Sequence, residues 1–317
     1  LVDDGSSDSS AKICDSLADK YNNIIKVVHQ ENKGQLLSRC VGAETAKGDY
    51  CVYLDADDLL YENCLERLFD AITTFSSPDI VIYNFDRLSS SGEKICKPMP
   101  LESNFVYTGE RKKQLYNLLM SGSMLNSMWN KCVRRECLIG CEKLFAEYRS
   151  LRCGEDRLQV LESVTKADSI VYIDDVLYCY RLFDGSVTRN YDISNISKFN
   201  MSLLCEAEEA YLKKWGISTV ELQKKLEAYF LNNAIYAFLL FYDNAQKKCV
   251  KKEIIKYDWL SFVPNKYLEN VSDNHNLSDF NKKMWGFIKH KKYFNMKYVL
   301  WKRDIYKTIK AVKRKLL

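Results

Sequence analysis

The chain has 317 residues, 47% hydrophobic and 13% aromatic, with only four prolines, a composition that supplies a real core and argues against extensive disorder. Its longest uninterrupted apolar run, Ala234 to Tyr242, is nine residues, too short to span a bilayer. Twelve cysteines include no CxxC pair, and the three histidines, His29, His275 and His290, are scattered, so no zinc site is expected and the thiols read as reduced and mostly buried.

Taken in chain order, Leu1-Val2-Asp3-Asp4-Gly5-Ser6-Ser7-Asp8 reads as a strand end entering an acidic turn. Ser7 or Asp8 can cap a helix from Ala11 to Tyr21, with Ile13, Leu17 and Tyr21 on one face. Ile24 to Val28 is a short strand, and His29 to Gly34 a polar loop. Gln35 to Lys47 reads as a helix that stops at Gly48. Arg39 on that helix has the planar fork of donors that suits a diphosphate, and equally suits a surface ion pair. Asp49 to Leu54 is a short aromatic and β-branched run, expected as a buried strand. It delivers Asp55, Asp57 and Asp58 at its C-terminal end, although Asp58 can instead cap a helix starting near Leu59. Carboxylates this close hold one another's protons unless a cation sits among them, and such oxygen ligands suit a hard divalent ion shared with a phosphate. Two acidic strand ends about fifty residues apart fit successive α/β units meeting at the crevice of an open sheet, where ligands bind.

Val2-Asp3-Asp4-Gly5-Ser6-Ser7-Asp8, Glu31-Asn32-Lys33-Gly34, Lys47-Gly48-Asp49-Tyr50 and Leu54-Asp55-Ala56-Asp57-Asp58 resemble, in order and spacing, the motifs of family 2 glycosyltransferases. Trp129-Asn130-Lys131, Gly154-Glu155-Asp156, Ile173 to Arg181 and Gly185-Ser186-Val187-Thr188 continue the resemblance, toward members that build bacterial surface polysaccharides. It implies an α/β fold of the GT-A type and inverting transfer from a nucleotide-activated sugar, a UDP-sugar by expectation. It implies that Asp3 and Asp4 touch the uracil and ribose, that Asp55 and Asp57 form the DxD motif, and that Asp57 ligates Mn²⁺ or Mg²⁺. Asp156 matches the catalytic base, with Glu155 as the neighbouring candidate. Arg39 matches a basic residue near the nucleotide, although relatives often read Ala-Arg-Asn where this chain has Ser38-Arg39-Cys40. Relatives also begin about thirty residues earlier, so a truncated start with the first strand missing is expected.

On their own, Glu155-Asp156 read as the N-terminus of a helix over Arg157 to Val164, stabilised by the macrodipole or acting as general base. Asn130 and Lys131 suit the sugar or acceptor side of the cleft. Ser169 to Arg181 reads as a strand pair, or a strand and turn, packed on the sheet. Residues 193–260 read as helical with a break at Gly216. The expected organisation is a transferase domain over 1–192, a helical region over 193–280 and a basic tail over 281–317. That tail holds 13 Lys+Arg against Asp304 alone, which leaves residues 1–280 at a net −7 within the total of +5. Tyr298, Trp301, Ile305, Ile309, Val312 and Leu316 form one stripe of a helix. A basic helix with such a stripe fits an anionic membrane interface, which suits a glycan or polyprenyl-linked acceptor. No base-reading motif is present, so nucleic acid is not an expected partner. The alternatives are a non-catalytic nucleotide- or glycan-binding remnant and a membrane-surface module.

Overall fold

The computed structural model describes residues 1–89, 91–122, 125–151, 153–182, 191–269 and 271–316, with side chains up to Asp304. The motif Gly185 to Thr188 and the tail's apolar positions from Ile305 on lie outside the described residues or side chains. The chain divides into two compact units, Leu1–Arg189 with Glu206–Ser218, and Asn190–Cys205 with Thr219–Leu317.

In the first unit the elements run β1 Val2–Asp3, α1 Ser10–Lys20, β2 Val28–His29, α2 Gln35–Thr45, β3 Tyr50–Val52, β4 Leu59–Leu60 and α3 Cys64–Thr74. They continue with β5 Ile80–Leu88, β6 Lys94–Cys96, β7 Phe105–Thr108, α4 Lys112–Ser121, β8 Lys131–Arg134, α5 Glu142–Ala146, α6 Glu155–Lys166 and β9 Ser169–Arg181. Helix α7, Ser202–Lys214, belongs to this unit from Glu206 onward. The main sheet has the order β3-β8-β5-β9-β4, with β6 beside β5 and β7 beside β9. Its centre is the parallel pair β5–β9, Ile80 facing Ile170, while β3, β4, β6 and β7 pair antiparallel. β1 and β2 form a separate parallel ribbon. This is a mixed α/β architecture. The central strand Ile80 to Tyr83 is fully buried, as expected of a continuous apolar run covered on both faces. One layer of core joins Leu68 and Ala71 of α3 to Val81, Tyr83, Val171 and Tyr178 of the sheet.

Several sequence expectations shift. Asp49 to Leu54 shortens to the half-buried β3, with Leu54 51% exposed, because the chain leaves the sheet after Val52 to present its carboxylates. Asp58 caps no helix: Leu59–Leu60 joins the sheet as β4 and α3 begins only at Cys64. Helix α1 forms, yet none of its residues is buried. The two-residue strands beside it are too narrow to cover Ile13, Leu17 and Tyr21. Ser169 to Arg181 is one continuous strand of 13 residues. The boundary expected at residue 192 is crossed by α7: Glu208 bonds Arg157, Tyr211 bonds Glu162, and Trp215 stacks on Tyr116 at 4.0 Å.

The second unit contains α8 Val220–Asn244, α9 Lys248–Lys256, α10 Asn265–Glu269, α11 Asp279–Lys289 and α12 Tyr293–Leu316. Thr219 caps α8 by accepting from the Leu222 N–H at 3.1 Å. The apolar run Ala234–Tyr242 is core helix as expected, with Ala234, Ile235, Ala237, Phe238 and Phe241 buried. Buried Trp259 and Trp285 donate to Ile254 O and Leu231 O. The basic tail is continuous with this unit, since Met296 and Leu300 of α12 are fully buried. Among the described residues no helix is long and apolar enough to cross a membrane. All twelve cysteines are free thiols, seven of them buried.

Candidate active site

The two N-terminal motifs are joined by hydrogen bonds. Asp4 accepts from Gln30 Nε2 at 2.6 Å and the Lys33 N–H at 2.8 Å on one oxygen, and from the Gly34 N–H at 2.9 Å on the other. Partial burial pushes its carboxyl up, but these donors more than offset that and hold it below the ordinary value. Gly5, at φ +72°, crosses this loop so closely that a Cβ would lie 2.9 Å from Asn32 N, which explains glycine in the motif. Asp3 accepts from the Ser6 N–H at 3.1 Å and faces His29 Nδ1 at 2.9 Å. Hydrogen bonding to Ser6 first, then His29, lowers its pKa. The other ring nitrogen of His29 faces Asp15 at 2.8 Å, and the two carboxylates raise the imidazole pKa.

Arg39 is the hub. It is 7% exposed on α2 and donates to Asp156 Oδ1 and, at 3.2 Å, to Asp55 Oδ1. With its amide oriented to satisfy both neighbours, Gln35 completes the cluster, its oxygen accepting from Arg39 at 2.8 Å and its nitrogen donating to Glu155 Oε1 at 3.0 Å. A carboxylate at the end of β3 and one at the start of α6 therefore share a single guanidinium. Burial opposes the Arg39 charge, but Asp156 and Asp55 raise its pKa nonetheless. Burial is also the main reason Asp55 and Glu155 sit above the ordinary carboxylate range, each helped by Asp156. Gly154, left-handed at φ +86°, turns the chain into α6 so that Glu155 and Asp156 occupy its first turn. Among the described residues no hydrogen bond reaches Asp156 Oδ2, while Arg39 holds Oδ1.

Asp57 and Asp58 part company. Asp58 is buried and accepts from Tyr178 O–H at 2.7 Å and the Arg181 N–H at 2.8 Å, which pins the acidic turn to β9. Arg181 Nε donates to the Asp57 carbonyl. No hydrogen bond reaches the half-exposed Asp57 carboxylate among the described residues. Such a carboxylate fits Mg²⁺ or Mn²⁺, which binds through one or two carboxylates plus phosphate oxygens. No group of three or more His, Cys, Asp or Glu side chains placed to hold a metal ion is present among the described residues.

The first 133 residues match the family model "Glycosyl transferase family 2". Glycosyltransferase GlyG of Streptococcus pneumoniae is 30% identical over 226 residues, 68% of this chain and 68% of GlyG. The chain belongs to glycosyl transferase family 2. This family 2 member is also 29% identical over 252 residues to the cholesterol galactosyltransferase of Borreliella burgdorferi, covering 76% of this chain and 65% of that protein. It thus spans less than two thirds of that relative's length. Residues 1–349 of S. aureus TarS, solved with UDP-GlcNAc, superpose with a TM-score of 0.58 at 18% identity, over 94% of this chain and 80% of that one. This likeness shows the GT-A fold for the α/β unit, with a helical region following it.

Two expected site residues of this family 2 member are deeply buried. Asn130 and Lys131 are fully buried. Lys131 Nζ donates to Leu125 O at 2.9 Å, Ser127 O and Asn130 Oδ1 at 2.9 Å. Burial pushes its pKa down to about 7, while three acceptors match the three donors of an ammonium. Both residues hold the 125–131 turn in place. Trp129 stacks on Tyr178 at 4.6 Å, tying the same turn to β9. A second buried cation, Arg157, grips the preceding loop through Gly122 O at 2.6 Å and Asn126 Oδ1 at 2.8 Å, and pairs with fully buried Glu208. Sequence reasoning missed Gln30, Gln35, Tyr178 and the Arg157–Glu208 pair. The first two adjoin recognised motifs; Glu208 gives no local signal, since its partner is 51 residues away.

Proposed function

We propose that the chain transfers a sugar, with inversion, from a nucleotide-diphosphate donor, a UDP-sugar, to a hydroxyl of a growing lipid-linked surface glycan. The observation that carries this reading is the Arg39 bridge, which brings Asp55 of the DxD turn and Asp156 of α6 onto one side chain. Asp3 and Asp4, beside the same loop, stand ready for the nucleoside. Asp57, with Mn²⁺ or Mg²⁺, holds the diphosphate; the ion when bound neutralises the leaving group. Arg39, already near Asp55, adds positive charge next to the departing phosphates. Asp156 takes the acceptor hydroxyl's proton on Oδ2 while Arg39 keeps Oδ1 oriented. Asn130, Lys131 and Trp129 shape the acceptor side by holding the 125–131 turn.

The membrane part of the reading rests on α12. Phe294, Tyr298 and Trp301 are 84%, 51% and 57% exposed, while Met296 and Leu300 anchor the helix to its own unit. Lys302 Nζ lies 4.6 Å from the Tyr298 ring. Aromatic rings flanked by lysines suit an anionic interface, here the inner face of a cell membrane. Calorimetric titration of UDP with and without Mn²⁺, beside Asp57→Ala, tests the transfer reading. Binding that requires both Mn²⁺ and Asp57 is expected; tight UDP binding indifferent to both would overturn the assigned metal role. Retention of the chain on anionic vesicles at low salt tests the membrane reading, and a chain that stays in the supernatant refutes it.

A further inference from the structure

The second unit holds a cavity of about 390 Å³ between the end of α10 and one face of α11. Its floor is apolar: Leu268, Val271 and Trp285 line it and are each less than a tenth exposed. The rest of the lining is polar and mainly basic: Lys282, Lys283 and Lys289, with His290, Ser272 and one acid, Glu269. Lys289 is already turned inward, donating to Leu268 O at 3.2 Å. Gly286 opens the cavity from the helix side, since a Cβ there would meet nothing within 4 Å. Glycine is the poorest helix former after proline, and no close neighbour demands it here. The space it leaves is continuous with the cavity.

We propose that this cavity binds an anionic lipid by its phosphate, with the oxygens among Lys282, Lys283 and Lys289 and the first methylenes on Leu268, Val271 and Trp285. The chemistry separates this ligand from others. A sugar needs paired donors and acceptors along its length, and beside Glu269, Ser272 and His290 the lining offers lysines and hydrocarbon. A nucleobase needs an open aromatic face, whereas Trp285 is 1% exposed and its N–H is spent on Leu231 O. Free phosphate would use the rim and gain nothing from the floor. The volume lies in the range of small-ligand pockets and takes a headgroup phosphate with a few methylenes, the rest of each acyl chain leaving by the open side. After α11 ends at Lys289, a short turn carrying Lys291 and Lys292 leads into α12 with its exposed Phe294, which adds positive charge and apolar surface next in the chain. This inference is independent of the sugar-transfer reading, because none of these residues belongs to the acidic site.

The test is calorimetric titration of the full chain with monomeric dihexanoyl phosphatidic acid, beside dihexanoyl phosphatidylcholine and inorganic phosphate. Saturable binding of the phosphatidic acid is expected, with the other two weaker by about tenfold or more. Gly286→Phe fills the cavity and should abolish binding while far-ultraviolet circular dichroism stays unchanged. Should that variant misfold, the exposed-charge variant Lys283→Glu/Lys289→Glu replaces it and should lose binding equally. No saturable binding by the wild-type chain overturns the proposal, as does binding retained in the filled or charge-reversed variant. Phosphate that binds as tightly as phosphatidic acid overturns it too, reducing the site to a rim for free anions.

Discussion

Replacing Arg39 by Met tests the site's electrostatic logic most directly. The guanidinium is 7% exposed, and its partners Asp55 and Asp156 are each 23% exposed. Breaking a buried pair by removing one partner costs about 3–5 kcal/mol, because the other charge is left without compensation. The partial exposure of both carboxylates places the expected loss at the lower end, about 3 kcal/mol at pH 8. For a unit of this size that is a drop in Tm of roughly 6–12 °C. The pH dependence has a definite sign. Asp55 and Glu155 already have folded pKa values above their ordinary ones, so their ionisation opposes folding. That cost is full above the folded pKa and disappears as pH falls below the unfolded value. Without Arg39 the upward shift grows, so the variant's deficit should shrink on going from pH 8 to pH 5. Mn²⁺ should then stabilise Arg39→Met more than the wild-type chain, since the acids have lost their internal cation. Urea unfolding followed by tryptophan fluorescence at both pH values measures this. A deficit under about 1 kcal/mol at pH 8, or one equal at pH 8 and pH 5, refutes the bridge as an energetic hub.

Two further predictions follow from the same geometry. Asp156→Asn should lower kcat by roughly 10²–10⁴ with little change in UDP affinity; a parallel loss of UDP binding would make Asp156 a binding residue instead. Arg157→Met and Glu208→Leu should each cost about 3–5 kcal/mol alone, yet the double variant should recover the part of that loss that comes from leaving one buried charge unpaired. Arg157→Met should be the worse single change, since Gly122 O and Asn126 Oδ1 also lose their donor. Additive losses in the double-mutant cycle would sink the claim that the pair acts as one unit.

The chemistry-bearing turns were readable because each is local. Asp3-Asp4-Gly5 and Asp55-Ala56-Asp57 follow short β-branched or aromatic runs, and period and composition signal such strand ends. The DxD turn nevertheless hid a division of labour. Asp58 looked like a helix cap, but Leu59-Leu60 paired with β9 and Asp58 became an acceptor for Tyr178 and Arg181, 120 and 123 residues away. Lys131 looked suited to the sugar or acceptor side of the cleft, and burial turned its ammonium onto carbonyls of its own turn. The α1 face of Ile13, Leu17 and Tyr21 has correct helical periodicity but remains exposed, because amphipathicity specifies a face and leaves its partner unspecified.

By itself the sequence determined the α/β class, the order of the acidic motifs, the helical character after residue 193 and the basic C-terminal segment, all of which depend on neighbours within a few turns or strand residues. Tertiary structure decided which carboxylates face one another: Asp55 and Asp156 are 101 positions apart in the chain, yet both bond the same Arg39. It also decided that Glu208 neutralises Arg157, and that the end of α10 and one face of α11 enclose a cationic cavity. The reason is physical. Local pattern sets the shape of each element, whereas the pairing of charges and the enclosure of space depend on how sheet registers and helix faces bring distant residues within a few ångströms.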